Sequence, residues 1–397
     1  MFIALIVIFS LAWGYLYYKY RDVFSPWSVT LLVWVLIISL YTFMDHGLYD
    51  SGPQFVKAIL IWNTGFCLSA YFSFRLTPAY TGIPWAKNPQ HIKFLTWVCV
   101  LLIPVMLYKS LSFALANGSV TDLVYNLRQQ IIDDRYEFSL GPLIYLIHVA
   151  YVLLLVTIDE DRVKRPQFWL ALTLCICYFI VTMSKQTFFM IAVSMLYVYY
   201  VRKKISLKPF IIFGVVFVVL GILFTNFRLT SSGRESTYDF MDLLSMYVVS
   251  PIVAFCYDSP NSAHYFGEYT LKSVNNLLAI FGGGHRNVQM FQEMVSVPIP
   301  TNVFTMMSPY FKDFGYNGLA VISVIEGLFM GGVYKLSESG HNIMRLIYTY
   351  ILTLLVLQFF DELFFVGMSN FVQIIILLIF CHIKFDFSGT SQKPVAL

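Results

Sequence analysis

The sequence predicts an all-α polytopic membrane protein, and three observations carry that reading. Of 397 residues, 58% are hydrophobic and only 12% charged, against about 25% charged in a soluble domain. The mean hydropathy is +0.70, too apolar for a chain that must cover a soluble surface. Apolar stretches of about 16–21 residues, near the length a bilayer requires, recur along the chain. Nucleic-acid binding is excluded as a function class. The densest basic run is Arg202-Lys203-Lys204, which reads as a topology-setting loop.

The stretches place about eleven transmembrane helices, near 2–18, 27–44, 55–74, 94–108, 141–158, 167–183, 186–201, 209–226, 315–334, 346–360 and 363–383. Lys19 and Arg21 follow the first stretch instead of preceding it, the reverse of a cleaved signal peptide. The N-terminus is therefore expected outside, with the first helix retained. Alternation then assigns to the cytoplasm Lys19, Arg21, Arg75, Lys87, Lys93, Arg162, Lys164, Arg165, Arg202, Lys203, Lys204, Lys208, Lys335, Arg345, Lys384 and Lys393. These are sixteen of the 26 Lys and Arg residues, all in short segments, as the positive-inside bias requires.

Four parts follow. Residues 1–226 hold helices one to eight with a smaller outside loop at 109–140. Residues 227–314 form a large outside loop containing short helices. Residues 315–385 hold helices nine to eleven, and 386–397 are a cytoplasmic tail. Within the large loop, Leu243–Tyr257 is apolar but short, contains Pro251 and follows Asp239 and Asp242. It is expected as a re-entrant or interfacial helix, not a twelfth span. The cysteines (Cys67, Cys99, Cys175, Cys177, Cys256 and Cys381) lie mostly in apolar stretches. They suggest neither a disulfide framework nor a zinc site.

Cations gather in the outside segments, where topology does not call for them. The smaller loop carries Arg128 and Arg135, and the larger carries Arg228, Arg234, Lys272, Arg286 and Lys312. Lys185 sits in a tight outside turn, TMSKQTFF. Guanidinium forks suit phosphate oxygens, so arginines at the outer surface suit a lipid-linked diphosphate. Each could equally pair with an acid such as Asp133 or Glu235. FGGGHRN, residues 281–287, sets His285 as a proton acceptor beside Arg286 on a glycine-rich backbone, or is a turn with two polar residues. In PTNVFTMMSPYFKDFGYNG, residues 300–318, Asp313 can take a hydroxyl proton from a sugar or cap a helix.

Glu326 is the clearest intramembrane ionisable group, either bonded within the bundle or lining a substrate path. Gly327 and Gly331, four apart, predict close packing of that helix face. Asp361 and Glu362 occupy the last outside turn, solvated or facing the same cavity. His148 and His382 read as packed or interfacial.

The order of elements resembles Wzy-type O-antigen polymerases, the oligosaccharide repeat-unit polymerases, with many helices and a dominant late periplasmic loop. Three places carry the resemblance. NLRQQ (Asn126 to Gln130) is similar to the family's arginine-bearing stretch. MSKQTFFM is similar to its short Ser-Arg turn, with Lys185 in place of arginine. TNVFTMMSPYFKDFGYNG, followed by a glycine-bearing helix, resembles its late-loop signature. The repeat of an arginine, ten residues and a glycine described for some members is not present in either outside loop.

The resemblance implies a GT-C-like fold and a glycosyltransferase at the periplasmic face of the bacterial inner membrane. Donor and acceptor would be undecaprenyl-diphosphate-linked oligosaccharides, with membrane lipid around them and no cofactor or metal. Arg128, Arg135, Lys185, Arg228, Arg234 and Arg286 would share the diphosphate and sugar contacts, and His285 or Asp313 would be the base. A chain-length regulator and a flippase are the implied protein partners. The alternatives are a lipid-linked oligosaccharide flippase, which would need a charged cavity at mid-membrane, and an O-antigen ligase.

Overall fold

A computed structural model describes residues 1–116, 123, 126–127, 140–160, 163–182, 185–203, 212, 219, 240–285 and 292–383. Nearly all of the expected eighth helix (209–226), most of the loop 109–140, the start of the large loop and the tail 386–397 lie outside the described residues.

The described chain is almost entirely helical. In order come α1 (Phe2–Tyr20), α2 (Pro26–Phe43), α3 (Pro53–Leu76) and α4 (Pro89–Ala116). A 3₁₀ turn (Gly141–Tyr145) leads into α5 (Leu146–Ile158), followed by α6 (Arg165–Thr182) and α7 (Lys185–Lys203). Next, α8 runs through Phe240–Leu244, a π stretch Ser245–Val249 and Ser250–Phe255. After α9 (Lys272–Ile280), a short ladder pairs β1 (Val295–Ser296) with β2 (Pro300–Thr301), Val295 opposite Thr301. The chain closes with α10 (Met307–Glu338), α11 (Asn342–Val356) and α12 (Met368–Phe380). Among the described residues, six helices are long and apolar enough to cross a membrane: α1 to α4, Gly141–Ile158 and α10. This is an all-α, multi-pass membrane architecture.

Local chemistry explains most helix limits. Proline opens α2 and α3, where its missing N–H would have no partner anyway. Several limits differ from expectation, among them both limits of α11 (expected 346–360) and the start of α12 (expected 363). α4 continues past 108 to Ala116, because Leu111, Phe113 and Leu115 keep the run apolar and nothing breaks it before Asn117-Gly118. α10 starts at Met307, before the expected 315, and bends sharply at Gly315.

The bundle has two ends. At the first, Asp159 accepts from Arg202 Nε (3.0 Å) and Arg345 Nε (3.0 Å), and Lys87 Nζ donates to the Asp159 carbonyl (3.2 Å). The Asp159 carboxylate thus ties together the terminal turns of α5, α7 and α11, and its backbone carbonyl adds the approach to α4. Trp85 and Asn342 exchange hydrogen bonds there, and Asn88 Nδ2 donates to the Ile383 carbonyl (2.9 Å). At the second end, Gln54 Nε2 donates to the carbonyls of Phe255 and Asp258, Tyr49 N to Val297 O, and Met306 N to Gln358 O. Both the middle and the end of α8 touch this second end: Tyr247 stacks on Phe360, Gln54 reaches the Phe255 carbonyl, and just past the helix the Gly52 N–H points at Cys256 Sγ (3.3 Å).

The tightest contact joins α3 to α10. A Cβ on Gly331 would lie 2.8 Å from Ala70 Cα, and one on Gly327 2.5 Å from the Phe66 carbonyl. The expectation from Gly327 and Gly331 is met: glycine lets the two backbones touch. Trp27, Trp34, Trp62, Tyr348 and Phe55 fill the buried core around this seam.

Candidate functional site

The groups with chemical potential collect at the second end. Their layout follows from the break in α10. Gly315 has φ 60° and ψ −154°, a region open essentially to glycine alone. Sixteen residues of straight helix would separate Tyr310 from Glu326 by about 24 Å. The bend instead sets the Tyr310 hydroxyl 2.5 Å from Glu326 Oε1. The same hydroxyl lies 2.6 Å from Glu362 Oε1, and Trp62 stacks on the Tyr310 ring at 5.6 Å.

Glu362 is fully buried. Its Oε1 accepts from the N–H groups of Phe364 (2.7 Å) and Phe365 (2.9 Å), and its Oε2 from Val366 (2.6 Å). Burial raises its carboxyl above the ordinary range, opposed by these donors. The turn it organises carries Asp361, whose Oδ1 accepts from Glu362 N (2.8 Å). Burial pushes Asp361 up to about 7. Lys272, at the start of α9, is pushed down by burial and pulled back by Asp361. Ser273 Oγ, the next residue, donates to the Val366 carbonyl (3.0 Å). Asp361 and Glu362 are thus built into the site; neither is simply a solvated loop charge.

A second polar group surrounds Lys312. Its ammonium lies 3.0 Å from Asp258 Oδ1 and 2.7 Å from Gln292 Oε1, above the Phe304 ring at 4.7 Å. Ser308 Oγ donates to Asp258 Oδ2 (2.5 Å). Burial lifts Asp258 to about 6, while Lys312 and Ser308 pull it down.

Of the expected site residues, two have described side chains. Asp313 is buried and takes N–H donors on both oxygens: Tyr269 N at 3.1 and 3.2 Å, and Thr270 N at 2.7 Å. Its carboxylate therefore fastens the segment before α9 onto α10. His285 is exposed, its ring 4.5 Å from that of Tyr265. Both residues lean on one short segment, Tyr265 to Thr270. Lys185 opens α7. Arg128, Arg135, Arg228, Arg234 and Arg286 lie outside the described residues.

Asp258 and the pairing of Tyr310 with Glu326 and Glu362 are not foreseen from the sequence. Asp258 meets Lys312 across 54 positions, with no motif to link them. The Glu326 signal was visible as a lone acid in an apolar helix, but its partners depend on the bend at Gly315. His148 bonds Gln373 Oε1 (3.0 Å) and His382 bonds the Leu378 carbonyl (2.7 Å), so both are packed within the bundle.

No protein-family model and no solved structure matches the chain. Over 95% of both sequences it is 22% identical to a protein of Escherichia coli (strain K12) named "Putative O-antigen polymerase". The resemblance carried by the three short sequence segments thus extends along nearly the whole chain.

Proposed function

We propose that this protein polymerises O-antigen repeat units as a membrane glycosyltransferase. The observation that supports the reading best is the end-to-end similarity to a relative of that name. The substrates are undecaprenyl-diphosphate-linked oligosaccharides at the periplasmic face of the inner membrane. The fold is a GT-C-like arrangement of eleven spans in which the second end of the bundle faces the periplasm.

In the reaction, the acceptor sugar hydroxyl attacks the anomeric carbon of the growing chain. The anomeric C–O bond to the lipid diphosphate breaks, and a glycosidic bond replaces it. The leaving diphosphate keeps the bonding electron pair, and a base takes the hydroxyl proton. Arg128, Arg135, Lys185, Arg228, Arg234 and Arg286 supply cations for the diphosphate and sugars. His285, whose ring is exposed, is the favoured base. Asp313, engaged by backbone amides, holds the site's shape. Orientation of two lipid-anchored sugars accounts for much of the rate.

The test is a lipopolysaccharide gel from a strain lacking the gene, with and without a plasmid-borne copy. A core bearing one repeat unit and no ladder, with the ladder restored by the plasmid, is the expected result. Loss of even the single unit would point to a flippase or ligase.

A further inference from the structure

The Tyr310 hydroxyl sits between two glutamates that the reaction chemistry does not use. A phenol hydroxyl carries one hydrogen, so it can donate to one of its two carboxyl neighbours and must accept from the other. The two contacts, 2.5 Å to Glu326 and 2.6 Å to Glu362, are both hydrogen bonds. One glutamate therefore holds a proton.

The surroundings decide which. Glu362 receives three backbone N–H donors, the setting of an anion. Glu326 is fully buried, and its Oε2 has no hydrogen-bond partner. An ionised carboxylate with a bare buried oxygen is costly. The order is Glu326 carboxylic acid donating to Tyr310, and Tyr310 donating to the Glu362 carboxylate.

We propose that Tyr310, Glu326 and Glu362 are positioning residues for the outer-face site: sharing one carboxyl proton resident on Glu326, they hold the 361–366 turn against α9. That turn presents Asp361 to Lys272 and receives the Ser273 hydroxyl on the Val366 carbonyl. The triad also clamps the bend at Gly315, since Tyr310 and Glu326 lie on its two sides. Removing the proton would set two carboxylates on one hydroxyl and weaken both attachments. The charged or titratable groups facing the triad are Asp361 of the same turn, Lys272 of α9 beyond it, and Tyr350 of α11 beside Glu362. From α3 comes the uncharged Trp62.

The test uses full-length protein in phospholipid nanodiscs, read by infrared spectroscopy and thermal unfolding. The pH is mildly alkaline, where Asp258 and Asp361 are ionised. Wild type should show the C=O band of one protonated buried carboxyl, abolished in Glu326→Gln and retained in Glu362→Gln. Tyr310→Phe, which keeps the ring and removes the shared hydroxyl, should shift that band and is the second variant if Glu362→Gln does not fold. The fall of the unfolding midpoint with rising pH should vanish in Glu326→Gln, which has no proton to lose. A wild type without the band, loss of the band in Glu362→Gln alone, or an unmoved band in folded Tyr310→Phe would overturn the proton assignment.

The positioning role rests on the polymerase reading and is read separately. The alkaline limb of polymer synthesis should move by at least about one pH unit in Glu326→Gln. A moved band with an unmoved limb would overturn positioning alone. Absence of wild-type polymer would count against the polymerase reading and leave the spectroscopic result standing.

Discussion

Gly315→Ala perturbs the element on which the whole site layout depends. At φ 60° and ψ −154° an alanine is strained whatever the space around it, and its Cβ would also meet the Asn261 amide at 3.2 Å. A residue held in such a region costs about 1–3 kcal/mol. That cost moves the balance between the bent and straightened forms of α10 by about 5–150-fold. Straightening would part Tyr310 from Glu326, since a regular helix sets them about 24 Å apart. The assay is the thermal midpoint of purified protein together with polymer yield at equal protein level. Gly14→Ala is the control: it lies inside α1 with nothing within 4 Å of the new Cβ. Its effect should be neutral or a gain of up to about 1 kcal/mol. Gly315→Ala should lower both readouts. A variant matching wild type in both would refute the idea that the bend organises the site.

Other outcomes are equally definite. Gly331→Val should separate α3 from α10, because its side chain would run into the Ala70 backbone; a loss of about 1–3 kcal/mol is expected from overpacking, read as a lower thermal midpoint. Asp258 is raised to about 6 by burial, so the folded chain keeps a proton that the unfolded chain releases near pH 4. Its contribution to stability is full below about pH 4 and is lost as pH rises through about 6; Asp258→Asn should remove that slope from a pH series of unfolding midpoints. Arg286→Lys should shorten the polymer at normal protein level, because a point charge does not reproduce a bidentate fork; wild-type polymer would remove Arg286 from the site. A membrane-impermeant thiol reagent should label Asn275→Cys but not Lys204→Cys in intact cells, and labelling of the latter would overturn the topology.

Helix existence was legible because the bilayer demands long apolar runs, and ten of the expected stretches coincide with described helices. Limits were less legible, since an apolar helix can extend past the membrane boundary where nothing breaks it, as α4 does. The bend in α10 carried a signal, a glycine in KDFGYNG, but glycine there equally suits a helix start. Close packing at Gly327 and Gly331 followed from spacing alone. From sequence, the Asp313 carboxylate suits a proton acceptor and a helix cap equally. Only the fold reveals the amides of Tyr269 and Thr270 on its oxygens. Tyr310 carries no signal of its own, because a tyrosine in an aromatic-rich chain looks like core. Its importance comes from two acids brought to it by a bend and by a turn 52 residues away.

As a polymerase, this chain should join lipid-linked repeat units without another protein. The most direct measurement incubates purified protein in liposomes with an undecaprenyl-diphosphate-linked repeat unit and no nucleotide sugar. A ladder of lengthening products is expected, with free undecaprenyl diphosphate released once for each unit joined. Unchanged substrate with active protein, or movement of intact units across the bilayer without joining, would contradict it.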